Sequence, residues 1–459
     1  MTAERAFVTD HAADLHADLL TWLKIPSISA DPERAADVRR NAEWLVEALR
    51  RTGFPTVEIW ETAGAPAVFA EWPAAEPTAK TVVLYGHHDV QPVDPEELWE
   101  RPPFEPTIVG DELFARGAAD DKGQLLFHLL GLRAHLAATG RTSPAVTLRF
   151  LIEGEEESGS PHFAELLRER RDRLDCDVVV VTDTGMFGPD TPSICMGMRG
   201  LADGEIHFHG PDGDLHSGSF GGAVANPLTE LAKLLAALHD DDRVVQLPGF
   251  YDDALPITDA ERAAYAKLPF DEQGFLTGPA RSRAAVGEAG YTTLERVWAR
   301  PTAEINGFWG GYTGPGHKTI VPSDAYAKVS FRLVANQDPA KIQDGLAEFV
   351  RQHTPAGITS SVEFHGGGVK PSLSPLEHPA TKAVLRSVGR AFDTEVLLTR
   401  EGGSGPEADL AEVLAAPVVF LGVGLPGDRI HAPNERVVLP QLYKGAEAAA
   451  YLWSELATI

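Results

Sequence analysis

The segment 81-TVVLYGHHDV-90 joins a short apolar run to three consecutive polar residues, His87, His88 and Asp89. An apolar run of this length is typical of a buried strand. In open α/β sheets, ligands bind beyond the carboxyl ends of the strands. The segment therefore predicts a buried strand that ends with histidine and carboxylate groups at one edge of a sheet.

Four further polar clusters also follow apolar runs, and one acidic pair precedes a helix. They are Glu155, Glu156 and Glu157 after residues 148–152, Asp183 after 178–181, Gly402 to Ser404 after 396–398, His431 beyond 418–421, and the pair Asp120 and Asp121. A single polar cluster after an apolar run would carry little information, but polar groups at five separate strand ends form a pattern.

Strands and helices alternate along the first part of the chain, which predicts an α/β domain with a mixed sheet flanked by helices. The pattern changes near Met198 to that of an α+β unit with a long polar stretch over residues 240–302, and alternation resumes from residue 374. We expect strands at 81–85, 145–152, 177–181, 200–210, 325–334, 360–364, 394–398 and 417–421, and helices at 36–49, 124–138, 226–239 and 342–353.

Length and composition limit the class of protein. A chain of 459 residues is expected to form two domains. The net charge of −27 argues against nucleic-acid binding, which needs a basic face, and against binding to anionic membranes. Two cysteines, Cys176 and Cys195, imply no disulfide framework and fit a reducing cytoplasm. No signal peptide or membrane span is expected.

The polar clusters supply the ligand types of a metal site. Two histidines with three or four carboxylates suit zinc, manganese or cobalt, and the lack of thiolates disfavours a structural zinc cluster. A shared carboxylate can bridge two cations about 3.5–4 Å apart, and such a pair can activate a bridging water. Hydrolysis then needs a general base that is not a ligand, and the adjacent Glu156 and Glu157 can divide these roles.

Each cluster also has an ordinary interpretation when it is taken alone. His87 after a strand is more often structural, an acidic run is usually solvated, and Asp120 before a helix is usually a cap or first-turn acid. His431 lies in a loop rich in proline and glycine, where surface histidines are common. Their joint occurrence at successive strand ends favours the metal site.

Four motifs and a late histidine resemble those of a known family. The motifs are 86-GHHDV-90, 117-GAADDKG-123, 153-EGEEESGS-160 and 215-LHSG-218, and the histidine is His431. In this order they resemble the M20 metallopeptidases, in particular the carnosinase-like (cytosolic nonspecific) dipeptidase branch. The resemblance covers nearly the whole chain, and we expect the fold and activity of that family.

The resemblance implies a role for each residue of the metal site. It implies five ligands for two ions: Asp120 shared by both, His87 and Asp183 on one, and Glu157 and His431 on the other. Glu156 would be the general base, Asp89 would orient the His87 ring, and the Asp120–Asp121 peptide bond would be cis. By the same resemblance, an aspartate at position 183 is typical of dipeptidases or aminopeptidases and a glutamate of carboxypeptidases or deacylases, which favours a dipeptidase.

The resemblance also implies an inserted domain. A catalytic domain formed by residues 1–198 and 371–459 would be interrupted by an α+β lid and dimerisation domain at 199–370. Arg332 would bind the substrate carboxylate, since a guanidinium matches it bidentately, with Ser404, Thr319 and Asn306 as further substrate-binding candidates. In a homodimer formed through the lid, His216 would reach the active site of the neighbouring subunit.

Three functions are compatible with these residues. The first is hydrolysis of dipeptides or short peptides with two divalent ions, of which Zn²⁺ is expected before Mn²⁺ or Co²⁺. The second is an N-acyl amino acid deacylase or carboxypeptidase on the same scaffold. The third is a non-catalytic binding protein, which the complete set of ligands and Glu156 argues against.

Overall fold

The computed structural model describes all 459 residues, which form two compact units. Unit 1 comprises Met1–Met196, Leu373–Thr399 and Pro406–Ile459, and unit 2 comprises Gly197–Ser372 and Arg400–Gly405. Each unit has its own hydrophobic core. None of the helices combines the length and hydropathy that crossing a membrane requires.

The first part of the chain supplies five helices and eight strands. The helices are α1 (Ala3–Asp10), α2 (Ala12–Trp22), α3 (Ala35–Thr52), α4 (Lys122–Thr139) and α5 (Phe163–Glu169). The strands are β1 (Thr56–Trp60), β2 (Ala67–Trp72), β3 (Thr81–His87), β4 (Thr107–Val109), β5 (Glu112–Phe114), β6 (Thr147–Glu153), β7 (Val178–Val181) and β8 (Ser193–Met198).

The middle of the chain forms unit 2. Its strands are β9 (Gly200–His209), β10 (Leu215–His216), β11 (Thr302–Gly310), β12 (Ile320–Val321), β13 (Asp324–Leu333) and β14 (Thr359–Glu363). Its helices are α6 (Ser217–Phe220), α7 (Pro227–Ala236), α8 (Asp259–Tyr265), α9 (Glu272–Thr277), α10 (Thr293–Trp298) and α11 (Pro339–His353). The last part of the chain adds α12 (Pro379–Phe392), β15 (Leu397–Glu401), α13 (Glu407–Leu414), β16 (Val418–Phe420), β17 (Arg436–Val438) and α14 (Leu439–Leu456).

The main sheet of unit 1 has six strands in the order β1-β2-β6-β3-β7-β16. Strands β6, β3, β7 and β16 are parallel to one another, whereas β2 is antiparallel to both β1 and β6. Strand β7 consists of four buried valines, as expected where helices cover both faces of a parallel sheet. The parallel arrangement brings the carboxyl ends of four strands to the same edge.

Helix α4 is the central helix of unit 1 and starts directly after the Asp120–Asp121 pair. It is buried along most of its length, which agrees with apolar residues around its whole circumference. At Gly131 the backbone of α14 approaches so closely that a Cβ atom would lie 2.6 Å from the Ala446 carbonyl oxygen. This close packing fixes the helix whose first turn adjoins the acidic pair.

The main sheet of unit 2 is antiparallel, with strand order β11-β13-β9-β14. Residues of β9 alternate between buried and partly exposed, so that Ile206 and Phe208 lie in the core while His207 and His209 do not. Helices α7 and α11 pack against β13 and β9 and cover the core face. The opposite face carries mainly polar and aromatic side chains.

The predicted class, a mixed α/β sheet with an α+β unit, is confirmed. The strand predicted at 394–398 is misplaced, because Asp393 ends α12 in a left-handed conformation and Thr394 N still bonds to the helix. The strand begins at Leu397 instead. The stretch 240–302 contains three short helices, and strand β11 after it is absent from the sequence prediction.

Candidate active site

Three parallel strands of unit 1 bring polar residues to the same edge of the main sheet. Strand β3 ends at His87, β6 ends at Glu153, and Asp183 follows β7 by two residues. Because β6, β3 and β7 are adjacent and parallel, the residues that follow them lie side by side. This arrangement explains why three of the five polar clusters follow apolar runs. The cluster Gly402 to Ser404 instead follows β15, which pairs with β8 in a separate sheet, and His431 lies in a loop well beyond the end of β16.

Asp120 lies at the centre of this group and is buried. Its Oδ1 atom lies 2.9 Å from His87 Nε2, and its Oδ2 atom lies 2.9 Å from His431 Nε2. The peptide bond between Asp120 and Asp121 is cis, as the resemblance implies. The two oxygens of one carboxylate therefore face two different histidines.

A further carboxylate lies beside each of these histidines. Asp183 Oδ2 lies 3.6 Å from His87 Nε2, and Glu157 Oε2 lies 3.1 Å from His431 Nε2. His431 adopts a left-handed backbone conformation with φ of +58°, which is uncommon for a residue with a side chain. The structure thus brings together two groups, each of one histidine and one carboxylate, with Asp120 between them.

Asp89 links the His87 ring to the acidic loop after β6. Its Oδ1 atom lies 3.3 Å from His87 Nδ1, so the Nε2 atom is left to face Asp120. The same carboxylate accepts hydrogen bonds from the backbone N–H groups of Glu156, at 3.3 Å, and Glu157, at 3.0 Å. One buried side chain therefore orients the ring and holds the adjacent glutamates.

Without a cation, burial disfavours the ionised form of the carboxyl groups in this cluster. Burial, together with neighbouring acids such as Asp183, raises the pKa of Glu156 well above its usual value. Burial and Asp120 raise the pKa of Glu157 to about 7. For Asp120 itself burial opposes ionisation, but hydrogen bonds from His431 and His87 hold the pKa below its usual range. Several buried carboxyl groups in contact can be ionised together only when positive charge lies beside them.

Divalent cations fit this set of side chains. Nitrogen and oxygen atoms suit zinc, manganese or cobalt, and ligand atoms of His87, Asp120 and Glu157 all lie within 4.8 Å of one another. Ligand atoms of His87, Glu156 and Asp183 also lie within 4.8 Å of one another. Glu156 is therefore close enough either to act on a water at the site or to bind an ion itself.

Arg332 and Ser404 are in contact within unit 2. Arg332 Nη1 donates to Ser404 Oγ at 2.9 Å, and Ser404 Oγ donates to the Arg199 carbonyl oxygen at 2.6 Å. Burial, and then the nearby Arg332, lower the pKa of Arg199 to about 10, and its Nε atom is buried without a hydrogen-bond partner. Two adjacent guanidinium groups suit an anionic group such as a carboxylate.

The remaining predicted residues of unit 2 lie elsewhere on it. His216 is exposed, and its Nδ1 atom accepts a hydrogen bond from Gly218 N at 3.0 Å, which leaves Nε2 directed outward. The Thr319 carbonyl oxygen accepts from Ser217 N, one residue after His216. Asn306 lies in the β-bulge of β11, roughly 10–13 Å along the sheet from Arg332. Thr319 is thus near His216, and Asn306 lies apart from Arg332 along the sheet.

A family model described as peptidase family M20/M25/M40 matches residues 83–455, which is most of the chain. The chain belongs to the M20 peptidase family. Beta-Ala-His dipeptidase of Homo sapiens is 27% identical over 97% of this chain and 92% of the relative, and Cys-Gly metallodipeptidase of Candida albicans is 30% identical over 93% and 91%. The resemblance to the carnosinase-like branch is confirmed.

A solved structure of an M20 family metallo-carboxypeptidase from Sulfolobus solfataricus is also similar. It is 31% identical, with a TM-score of 0.83 over 97% of this chain and 99% of the other. This M20 protein is a metal-dependent hydrolase of peptide bonds. Its strand-end cluster supplies the residues that can bind divalent metal.

Glu435 supports the Asp120 loop of this M20 peptidase and was not predicted from the sequence. Its Oε1 atom accepts hydrogen bonds from Ala119 N at 2.9 Å and Asp120 N at 3.2 Å. Its Oε2 atom accepts from Gly117 N and from Arg116 Nη1, both at 2.8 Å. One fully buried carboxylate therefore holds the loop that presents Asp120. A single glutamate outside any motif gives no sequence signal for this role.

Gln91 and Tyr85 also have roles that were not predicted from the sequence. Gln91 Nε2 donates to Glu157 Oε2 at 2.8 Å, which fixes that carboxylate toward His431. Tyr85 Oη donates to Glu153 Oε1 at 2.5 Å, and burial, opposed by this hydrogen bond, raises the pKa of Glu153 to about 8. Gln91 directly follows the 86-GHHDV-90 motif, and this position is the feature of the sequence that could have identified it.

Proposed function

We propose that this M20 peptidase is a dipeptidase whose active site holds two divalent ions per chain, with Zn²⁺ as the principal metal. The supporting observation is the division of the Asp120 carboxylate between two histidines, each with its own second carboxylate. Asp120, His87 and Asp183 would hold one ion. Asp120, Glu157 and His431 would hold the other.

The chemistry is divided between the ions and Glu156. When bound, the ions polarise the scissile carbonyl group and make a nearby water more acidic. The Glu156 carboxylate accepts a proton from the attacking water and later delivers it to the departing amine. Asp89 keeps the backbone of Glu156 and the His87 ring in fixed relation. Residues Gln91 and Glu435 hold Glu157 and the Asp120 loop.

Arg332 is the proposed contact for the C-terminal carboxylate of the substrate, and Arg199 joins it in this proposal. Their guanidinium groups are adjacent, and Ser404 links Arg332 to the backbone at Arg199. A peptide that is held by its carboxylate presents a defined bond for cleavage. The relatives named as dipeptidases support this substrate class.

A carboxypeptidase is the second candidate, because the similar structure from Sulfolobus solfataricus bears that name. Such an enzyme would also bind the substrate carboxylate through Arg332, but it would accept long peptides. A deacylase would accept a blocked amine. The three activities therefore differ in what they tolerate on the amine side of the bond.

Residues 199–370 are proposed to act as a lid that also forms the homodimer. His216 is exposed in this region, and we propose that it donates to the developing oxyanion in the neighbouring subunit. Thr319 would support the His216 loop through its carbonyl oxygen. The expected cytoplasmic location stays a prediction.

A substrate panel tests the proposed activity. Protein reconstituted with Zn²⁺ or Mn²⁺ is assayed on dipeptides, N-acetyl amino acids, longer peptides and dipeptide amides, with the Glu156→Ala variant as the blank. We expect the highest kcat/KM with free dipeptides. Faster turnover of N-acetyl amino acids would instead identify a deacylase, and equal turnover of long peptides would identify a carboxypeptidase.

A further inference from the structure

Three side chains of unit 2 form a second group of metal-ligand type, on the sheet face opposite the core. His207 and His209 lie two residues apart on β9, and Asp324 at the start of β13 pairs directly with His209. Because successive residues of a strand point to opposite faces, both imidazoles lie on the face that Ile206 and Phe208 do not. Asp324 adjoins both rings across the strand pair.

The three side chains converge on one carboxylate oxygen. Asp324 Oδ1 lies 2.7 Å from His207 Nε2 and 2.8 Å from His209 Nδ1. One ligand atom from each residue lies within 4.8 Å of the others. Two ligands of a zinc ion, each about 2.0–2.2 Å from it, can be up to about 4.4 Å apart. Small side-chain adjustments therefore suffice for all three atoms to contact one ion.

Neighbouring residues hold this group in place. Ser323 Oγ donates to Asp324 Oδ2 at 2.5 Å, which leaves Oδ1 for the imidazoles. The His207 ring stacks on Tyr326 with centroids 4.5 Å apart, and Tyr326 stacks on Trp309 at 5.3 Å. Hydrogen bonds from Ser323 and then His209 lower the pKa of Asp324 to about 2, so the carboxylate is ionised at neutral pH.

The surroundings admit a cation from solvent. The three side chains are between 32% and 40% exposed, so that an ion can reach them without any opening of the fold. Lys328 follows on the same face of β13, but its ammonium group pairs with Glu205 Oε2 at 3.4 Å. Its charge is thus partly neutralised and does not exclude a second cation on this face.

We propose that His207, His209 and Asp324 bind one divalent transition-metal ion, separate from the catalytic ions. Two imidazoles and a carboxylate suit Zn²⁺, Ni²⁺ or Cu²⁺ better than Mg²⁺ or Ca²⁺. The ion would replace the two hydrogen bonds at Oδ1, with each imidazole neutral and its single proton on the ring nitrogen that does not bind the ion. Asp324 lies eight residues from Arg332 on β13, or roughly 26 Å, so this ion is distinct from the substrate contact.

Binding would join two strands of unit 2 through side chains. β9 and β13 are already paired through their backbones, and the ion would add a cross-link at the end of the pair where Asp324 meets His209. An ion that binds only the folded sheet stabilises it by mass action. The melting temperature of the protein is then expected to rise with Zn²⁺ beyond the concentration that saturates catalysis.

Equilibrium dialysis of the full-length protein against rising free Zn²⁺ tests the proposal. The double variant H207A/H209A is expected to bind one equivalent less than the wild-type protein, with unchanged dipeptide turnover. The matched control H353A/H365A removes two other histidines of unit 2 and is expected to bind as much as wild type. A crystal of the Zn²⁺-loaded protein should give an anomalous peak among His207, His209 and Asp324.

The Asp324→Asn variant provides a second test, since it keeps both imidazoles. It is expected to lose the same equivalent, with circular dichroism unchanged from wild type. Equal Zn²⁺ binding by wild type, H207A/H209A and Asp324→Asn would overturn the proposal. So would loss of the equivalent in the H353A/H365A control, because binding would then depend on histidine content and not on this cluster.

Discussion

Glu435 is a buried carboxylate that holds the loop carrying Asp120, a candidate metal ligand. It binds three backbone N–H groups around Asp120 together with Arg116. In Glu435→Gln, the amide would direct an N–H group at one of these donors. We expect metal affinity and kcat to fall by about 10–100-fold, as is usual for residues that support metal ligands.

The control for this prediction is Glu447→Gln. Glu447 is also buried and accepts a hydrogen bond from Arg5 Nε at 2.9 Å, but it lies on α14 away from the Asp120 loop. We expect this variant to lower the melting temperature and leave metal affinity unchanged. Isothermal titration with Zn²⁺ compares the two variants, and equal affinity in both would contradict the role assigned to Glu435.

Arg332 provides a prediction about substrate binding. Loss of a hydrogen bond between charged groups costs about 1.5–3 kcal/mol, so Arg332→Ala should lower kcat/KM for free dipeptides by about 10–100-fold. Dipeptide amides lack the carboxylate and should be affected much less. Arg351→Ala, an exposed arginine of unit 2 paired with Glu348, is the control. The same loss with both substrate types would rule out carboxylate binding.

The metal-ligand candidates could be predicted because of where they lie along the chain. His87 and Asp183 follow apolar runs that form parallel strands, so the sequence pattern and the sheet edge coincide. Glu435 lies outside such patterns, since its importance comes from burial against distant backbone. Arg199 does follow an apolar run at the end of β8, but its importance comes from a second charge, Arg332, that is distant in sequence. Position in the sequence carries no information about those contacts.

Helix α4 gives a prediction about packing. Gly131→Ala would place a Cβ atom 2.6 Å from Ala446 O and 2.7 Å from Ala449 Cβ. Overpacking costs about 1–3 kcal/mol, which exceeds the gain of about 1 kcal/mol from replacing glycine in a helix. We therefore expect a lower melting temperature by calorimetry.

Gly389→Ala in α12 is the matched control for Gly131→Ala in α4. There the nearest atom to a Cβ is Thr394 O at 3.3 Å, which needs only a small adjustment. The helix-propensity gain should then leave the melting temperature equal to wild type or higher. A loss at Gly389 as large as that at Gly131 would show that close helix packing is not the cause.

Helices and strands differed in how well the sequence predicted them. Helix 124–138 was predicted within two residues of α4, because its apolar residues recur along the entire segment. Strand β11 was missed, since its exposed residues Ile305, Phe308 and Trp309 do not alternate regularly around the bulge after Ile305. Irregular register removes the period that identifies a strand.

The proposed dimer can be tested by mixing two inactive variants. The His216→Ala chain keeps Glu156, and the Glu156→Ala chain keeps His216. If each subunit lends His216 to its neighbour, a heterodimer has one complete active site. Equal mixing with subunit exchange should restore about a quarter of wild-type activity, since half of the dimers are mixed and each has one working site.

Two results would contradict the exchange of His216. Heterodimers demonstrated by native mass spectrometry without recovered activity would show that His216 does not act across an interface. Full activity of a protein that remains monomeric at assay concentration would show that no partner is needed. Each variant alone should lose about 10²–10³-fold in rate or more.

The central claim is that Glu156 transfers the proton while its neighbour Glu157 holds metal. Metal content and dipeptide turnover measured together on Glu156→Gln and Glu157→Gln test this division most directly. We expect Glu156→Gln to keep the metal content of wild type and to lose about 10²–10⁴-fold in kcat, whereas Glu157→Gln should bind less metal. Loss of metal in Glu156→Gln, or turnover within tenfold of wild type, would contradict the claim.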